Sequence, residues 1–227
     1  MPPIVLAVLG AALDLLAAAL GWHDLRIITK PLPALILALA AWHAGGRPCR
    51  ILGLGLIFAA VGDELLLRTG SAFFMAGMAA FALMQISYML AFLGQGARWN
   101  PTSRLRAAAA SAYGIAYILL LTRLLPHAAG FGAPLVVYGF LLILMASFAA
   151  QLSPAVAIGG LCFVVSDLTL ASAKFLPSFP LAPRLTELVV MGTYFAAQIL
   201  IAWGMTNAAK QDARNDQALV QESAGHL

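Results

Sequence analysis

Asp63 and Asp167 are the residues whose placement asks for a chemical reason. Each interrupts a long apolar run, LGLGLIFAAVGDELLL and AVAIGGLCFVVSDLTLASAKFL. An ionisable group carried to the middle of a membrane helix costs about 2.5–3.5 kcal/mol on insertion scales. A chain that meets this cost twice at matching depth has a use for both groups. Two carboxyls in an apolar setting can divide acid–base work. One stays neutral and gives a proton; the other stays ionised and steadies a cation or directs water.

Further polar residues fall at the same level. Lys30 opens one apolar run, Glu187 opens the last, and Asp14 interrupts the first. Lys174 stands seven residues after Asp167, two helical turns along the same face. Glu187, Tyr194 and Gln198 are spaced i, i+7, i+11, and Phe81, Gln85 and Tyr88 are spaced i, i+4, i+7. These stripes are expected to line a polar cavity reached from one membrane face. Taken singly, the Gln and Tyr residues also suit hydrogen bonding between packed helices. Lys30 and Lys174 also suit snorkelling to phosphates. Glu64 points about 100° away from Asp63, toward headgroups or Arg68.

The elements that position these groups follow from composition. The chain of 227 residues is 62% hydrophobic and 10% charged, where a soluble domain carries about a quarter charged residues. Its mean hydropathy of +0.92 points the same way, to an all-α, polytopic integral membrane protein. Crossing the hydrocarbon takes about 20 apolar residues per helix. Polar punctuation predicts a bundle of about eight spans: 3–21, 31–44, 50–68, 72–95, 104–125, 132–152, 155–176 and 184–206. Continuous Ala- and Leu-rich runs exclude the short alternating strands of a barrel. Residues 1–206 form the transmembrane domain, and the polar tail 207–227 is expected to be disordered or weakly helical. The first run has no basic residue before it and is expected to be a retained helix, not a signal peptide. Asp63 lies about five residues before the end of the third span, roughly 7–8 Å inside it. Asp167 is somewhat deeper in the seventh. Both spans leave the membrane on the same side.

An even number of spans puts both termini on one side. Seven basic residues fall on that side and six on the other; with Lys30 and Lys174 set aside as site residues, the balance weakly favours cytoplasmic termini. A bacterial cell membrane is the expected location. The net charge of +4 is spread over many loops, so no nucleic acid partner is implied. Cys49 and Cys162 make no disulfide framework. His23, His43, His127 and His226 fall at loops or in the tail, so no metal centre and no cofactor is expected. Neither a G-x-S-x-G elbow nor a Walker loop occurs. The third and seventh spans share an apolar pair, a small residue, then Asp before leucines, as a duplicated four-helix unit would.

Four motifs in order carry a family resemblance: Gly62-Asp63 in the third span, Phe74 to Phe81 in the fourth, Ser166-Asp167 through Lys174-Phe175 in the seventh, and Thr193-Tyr194 through Gln198 in the eighth. Thr29-Lys30-Pro31 adds to them. Over residues 25–205 the chain resembles the YhhN/TMEM86 lysoplasmalogenase family. The family commonly has His-x-x-Tyr where this chain has Gln85-Ile86-Ser87-Tyr88, and Gln keeps a donor and an acceptor but does not titrate. The resemblance implies hydrolysis of the vinyl ether bond of a lysophospholipid, a lysoplasmalogen reaching the site from the bilayer. The products would be a fatty aldehyde and glycerophosphocholine or glycerophosphoethanolamine. Vinyl ethers are stable to base and labile to acid, which suits two carboxyls. Asp63 and Asp167 are the expected catalytic pair, with Asp167 as acid. Lys30, Gln85, Tyr88, Lys174, Glu187, Tyr194 and Gln198 are the expected substrate-binding residues.

Other functions compete. An aspartyl intramembrane protease also uses two membrane Asp, but its G-x-G-D motif would need Gly where Ala60 stands. A proton-coupled carrier breaks helices at mid-membrane, whereas most prolines here lie at span starts or in loops. A non-enzymatic lipid-binding scaffold and a ceramidase-like metal hydrolase complete the set.

Overall fold

The computed structural model describes residues 3–98 and 104–225. Nine α-helices follow in order among these residues: α1 (Pro3–Leu20), α2 (His23–Thr29), α3 (Leu32–Ala44), α4 (Arg47–Leu67), α5 (Ser71–Gly94), α6 (Arg104–Leu124), α7 (Gly132–Ala149), α8 (Pro154–Phe175) and α9 (Pro183–Gly225). A 3₁₀ turn, Leu125–His127, links α6 to α7. Seven helical segments are long and apolar enough to cross a membrane, with α2 and α3 counted as one. The eighth member of the bundle, α4, is 21 residues long and carries Arg47, Arg50, Asp63 and Glu64.

Short connections make sequential helices antiparallel. Pro48, Pro154 and Pro183 stand in the first turns of α4, α8 and α9, where the missing N–H removes no helical bond. Pro31 has the opposite effect. Between α2 and α3 it leaves the carbonyl of Ile27 without its i+4 donor, and the chain breaks beside Lys30.

The tightest pairs are α4 with α5 and α8 with α9. Small residues allow the approach. A Cβ on Gly62 would meet the Phe81 ring at 2.7 Å, and one on Gly159 would meet Ile201 at 2.8 Å. In addition α3 rests on α9 and α7 on α5. These contacts exchange when the two halves of the chain are swapped, whereas the packing of α1 on α9 has no comparable α6–α5 counterpart among the described residues. The main core cluster holds Leu52, Phe92, Phe163 and Ile201, and a smaller one gathers Leu124, Leu135 and Phe175. Exposed large apolar residues such as Leu9, Leu39 and Phe140 face outward, where hydrocarbon replaces water. The outermost helix is α6: of residues 107–124 only Leu124 is buried.

Two expectations change. The second span begins earlier than residue 31, because α2 packs with the bundle and buries Arg26. The polar segment from Asn207, expected to be disordered or weakly helical, continues α9 as helix as far as Gly225. His226 lies outside the described residues.

Candidate active site

One end of the bundle encloses a cavity of about 530 Å³. The C-terminal turns of α4 and α8 bring in Asp63, Asp167 and Lys174, and the N-terminal turns of α9 bring in Glu187 and Tyr194. Lys30 enters from the α2–α3 break and Tyr138 from α7. The two acids, more than a hundred residues apart in sequence, thus share one space. Most of the remaining lining is apolar, including Phe74, Phe81, Phe175 and Phe179.

The two carboxyls have different partners. Asp63, 2% exposed, accepts a hydrogen bond from Tyr194 Oη at 2.7 Å. Its Oδ1 faces Lys30 Nζ at 3.8 Å, and Lys30 also donates to the Asp63 backbone carbonyl at 3.4 Å. Gln198 Nε2 donates to Tyr194 Oη at 2.7 Å, so the phenol is held from both sides. The Tyr194 ring packs edge-on against Phe81 and Phe163. Asp167 instead accepts a hydrogen bond from Tyr138 Oη at 2.6 Å. Lys174 does not pair with it. Its ammonium lies over the Phe74 ring, 4.9 Å from the centroid, because a shared helical face leaves two turns between the residues.

A second polar cluster stands behind Lys30. Arg26, 2% exposed, donates to both oxygens of the fully buried Asp14, at 3.3 and 3.4 Å, and also to Glu187. Thr29 Oγ1 donates to Asp14 at 2.8 Å. Asp14 therefore fixes α2 through two residues, and the next residue, Lys30, is delivered to Asp63. Unpaired, Arg26 or Asp14 would be a buried charge costing several kcal/mol; together with Glu187 they satisfy one another.

The sequence-derived site residues divide into two groups. Asp63, Asp167, Lys30, Lys174, Glu187 and Tyr194 line the cavity. Gln85, Tyr88 and Gln198 do not; all three are fully buried beneath it. The i, i+4, i+7 stripe on α5 crosses from cavity to core, since Phe81 reaches the cavity and the residues one and two turns on lie too deep. Both amide atoms of Gln85 and the hydroxyl of Tyr88 have no protein partner. Tyr138 and Arg26 carry no mark in the sequence reading. Tyr138 is one aromatic in the apolar run PLVVYGFLLIL. Arg26 stood in an expected loop. Among the described residues no three His, Cys, Asp or Glu side chains converge as a metal site would require.

Comparison with known proteins covers most of the chain. Residues 25–205 match the model of the YhhN family. "Lysoplasmalogenase TMEM86B" of Rattus norvegicus is 31% identical over 181 residues, 80% of this chain and 72% of the relative. The protein of that name from Sus scrofa is 32% identical over 190 residues, 84% and 78% of the two chains. That from Homo sapiens is 33% identical over 185 residues, 80% and 75%. No solved structure matches the chain.

Proposed function

The chain belongs to the YhhN family, and from that premise we propose that it is a lysoplasmalogenase working inside the membrane. It cleaves the vinyl ether bond of a lysoplasmalogen, releasing a fatty aldehyde and glycerophosphocholine or glycerophosphoethanolamine. The observation that carries the reading is the unequal pairing of two carboxyls in one cavity. Asp63 faces an ammonium and serves as the ionised partner. Asp167 has a hydroxyl and no cation, and serves as the acid.

The steps balance without a cofactor. Asp167 gives its proton to the β-carbon of the vinyl ether, and the electron pair of the ether oxygen makes an oxocarbenium ion at the α-carbon. Asp63 stabilises that cation across the cavity. Water adds to the α-carbon, and its proton passes to a carboxylate. The hemiacetal then breaks its bond to the glycerol oxygen, which takes the proton that the carboxylate received from water, while the hemiacetal hydroxyl returns its own proton to Asp167 and the aldehyde leaves. The net change is addition of one water. Lys30, Lys174, Glu187 and Tyr194 are the cavity groups available to the polar end of the lipid. Gln85, Tyr88 and Gln198 act from beneath.

We place it in a bacterial cell membrane with both termini cytoplasmic, the orientation that the balance of basic residues weakly favours once Lys30 and Lys174 are set aside. The test is aldehyde release by purified, detergent-solubilised protein given alkenyl, alkyl and acyl lysolipids side by side. Aldehyde from the alkenyl lipid alone is the expected result. Faster hydrolysis of the acyl lipid would replace the vinyl-ether mechanism with an ester hydrolase.

A further inference from the structure

A second hollow lies directly behind Asp167, between α6, α7 and α8. Tyr117 and Leu121 of α6, Gly139 and Leu142 of α7, and Leu168 of α8 line it. Asp167, Tyr138, Leu135 and Ala171 line both this hollow and the large cavity. The Tyr138–Asp167 hydrogen bond is thus part of a wall with a polar-mouthed cavity on one side and an aliphatic groove on the other.

We infer that the aliphatic chain of the lysolipid substrate lies in this groove between α6 and α8, with its vinyl ether at the Asp167–Tyr138 wall. The inference rests on the reading of the site as a lysoplasmalogenase. A lysolipid has one charged end and one long apolar end, and its reactive bond lies at their junction. The large cavity offers Lys174, Glu187 and Lys30 to the charged end. The groove offers leucines to the other, and the proton donor stands at the boundary.

The groove is nearly closed as it stands, with about 40 Å³ of free space, little more than the ~30 Å³ share of one water. A chain enters only if α6 parts from α8. The packing allows it. Ile115, Ile118 and Leu119 of α6 are 59–62% exposed and face outward, while its inner face rests mainly on the small apolar cluster around Leu124, Leu135 and Phe175, and it packs less extensively on α8 than on α7. The helix is held instead to α7: a Cβ on Gly139 would meet the Tyr117 ring at 2.5 Å, and Tyr117 Oη donates to the Val136 carbonyl at 2.7 Å. That point serves as a pivot, with the α8 side free to open toward lipid.

Two measurements test this. The first uses an alkyl-ether lysolipid, which lacks the alkene and is not cleaved, with a photoreactive diazirine at mid-chain. Labelling is expected on Leu121 and on the Leu168–Ala171 turn, competed by unlabelled alkyl-ether lysolipid and lost in Leu121→Trp. Competed labelling confined to Phe74, Phe175 and Phe179 of the large cavity, or no competed labelling, overturns the inference. The second compares kcat/KM for sixteen-carbon and four-carbon alkenyl substrates. In Leu121→Trp, which alters an outer helix at a side chain packed on the small Leu124 cluster and not on the main core, the preference for the long chain is expected to fall about tenfold. An unchanged ratio overturns the inference. Absence of aldehyde from both substrates in the unmodified protein counts against the enzyme reading instead, and the labelling result then decides the groove alone.

Discussion

Replacing each acid by asparagine separates the chemistry of the site from its stability. In Asp167→Asn the amide oxygen still accepts the Tyr138 hydroxyl, now placed 2.6 Å from Asp167 Oδ2. No ion pair is lost, because Lys174 lies over Phe74. The fold should lose about 1 kcal/mol or less, because the neutral amide offers Tyr138 an acceptor much like that of the neutral acid. Turnover should fall by about two to four decades, about 2.7–5.5 kcal/mol in the barrier, as for loss of a general acid. Asp63→Asn should cost activity and stability together. It strands the Lys30 ammonium, whose side chain is 8% exposed and 3.8 Å from the carboxylate it loses. Breaking a buried pair by removing one partner costs about 3–5 kcal/mol, roughly 6–20 °C in Tm for a chain of this size. Adding Lys30→Met to Asp63→Asn should recover most of that loss and none of the turnover, a coupling read from a double-mutant cycle. Aldehyde release is followed with a coupled dehydrogenase, and melting through the four tryptophans. Turnover within about threefold of the unmodified protein in Asp167→Asn would remove that residue from proton transfer. An unchanged Tm in Asp63→Asn would mean that Lys30 and Asp63 are not paired in the membrane.

Three further outcomes follow from the same geometry. An alkyl-ether lysolipid should inhibit competitively without being consumed, because it fills the cavity but has no alkene to protonate; aldehyde formed from it would refute the mechanism. Incubation with EDTA or phenanthroline should leave turnover unchanged, and a stoichiometric metal whose removal stops turnover would return the ceramidase-like alternative. Arg26→Met should lower stability by about 3–5 kcal/mol, since it leaves Asp14 a buried charge with only Thr29 to bond; a melting curve that overlays the original would show that the cluster is hydrated.

The legible parts of the site were those that break a strong pattern. Asp63 and Asp167 stand out because a carboxyl in an apolar run has a cost that few uses justify. Their shared depth follows from counting residues to the helix end. Depth alone does not give the partner, which depends on where each helix faces. Lys174 shares a helical face with Asp167, yet its flexible stem carries the ammonium to the Phe74 ring. Tyr138 bonds Asp167 from a helix with no polar stripe, and a tyrosine among valines and leucines gives no sign of it. Arg26 falls between the first two expected spans, and α2, seven residues long, is too short to mark itself in the hydropathy. Its burial depends on Asp14 and on Glu187, 161 residues away. The fold itself was easier. Hydropathy and proline placement define the helices, and the missed portions, α2 and the helical tail after Asn207, are polar segments with no apolar run to mark them.

Gln85 shows where a stripe stops being evidence of contact. It follows Phe81 by one turn, and Phe81 lines the cavity, but Gln85 itself is fully buried and off the lining. Both its amide nitrogen and its oxygen lack protein partners. Each such orphan costs about 1–3 kcal/mol if nothing else bonds it. Methionine has nearly the same length and no strong donor or acceptor, and it fits irregular gaps. Gln85→Met should therefore stabilise the fold by about 1–3 kcal/mol, raising Tm by roughly 2–12 °C. Turnover should stay within about threefold, since Asp63, Tyr194 and Lys30 keep their contacts. The opposite pair of results, a lower Tm with turnover reduced by about a hundredfold or more, would mean that the amide holds buried water linked to Asp63. Gln85 would then belong to the proton path, and the family's usual histidine at this position would be a group that titrates, not one that fills space.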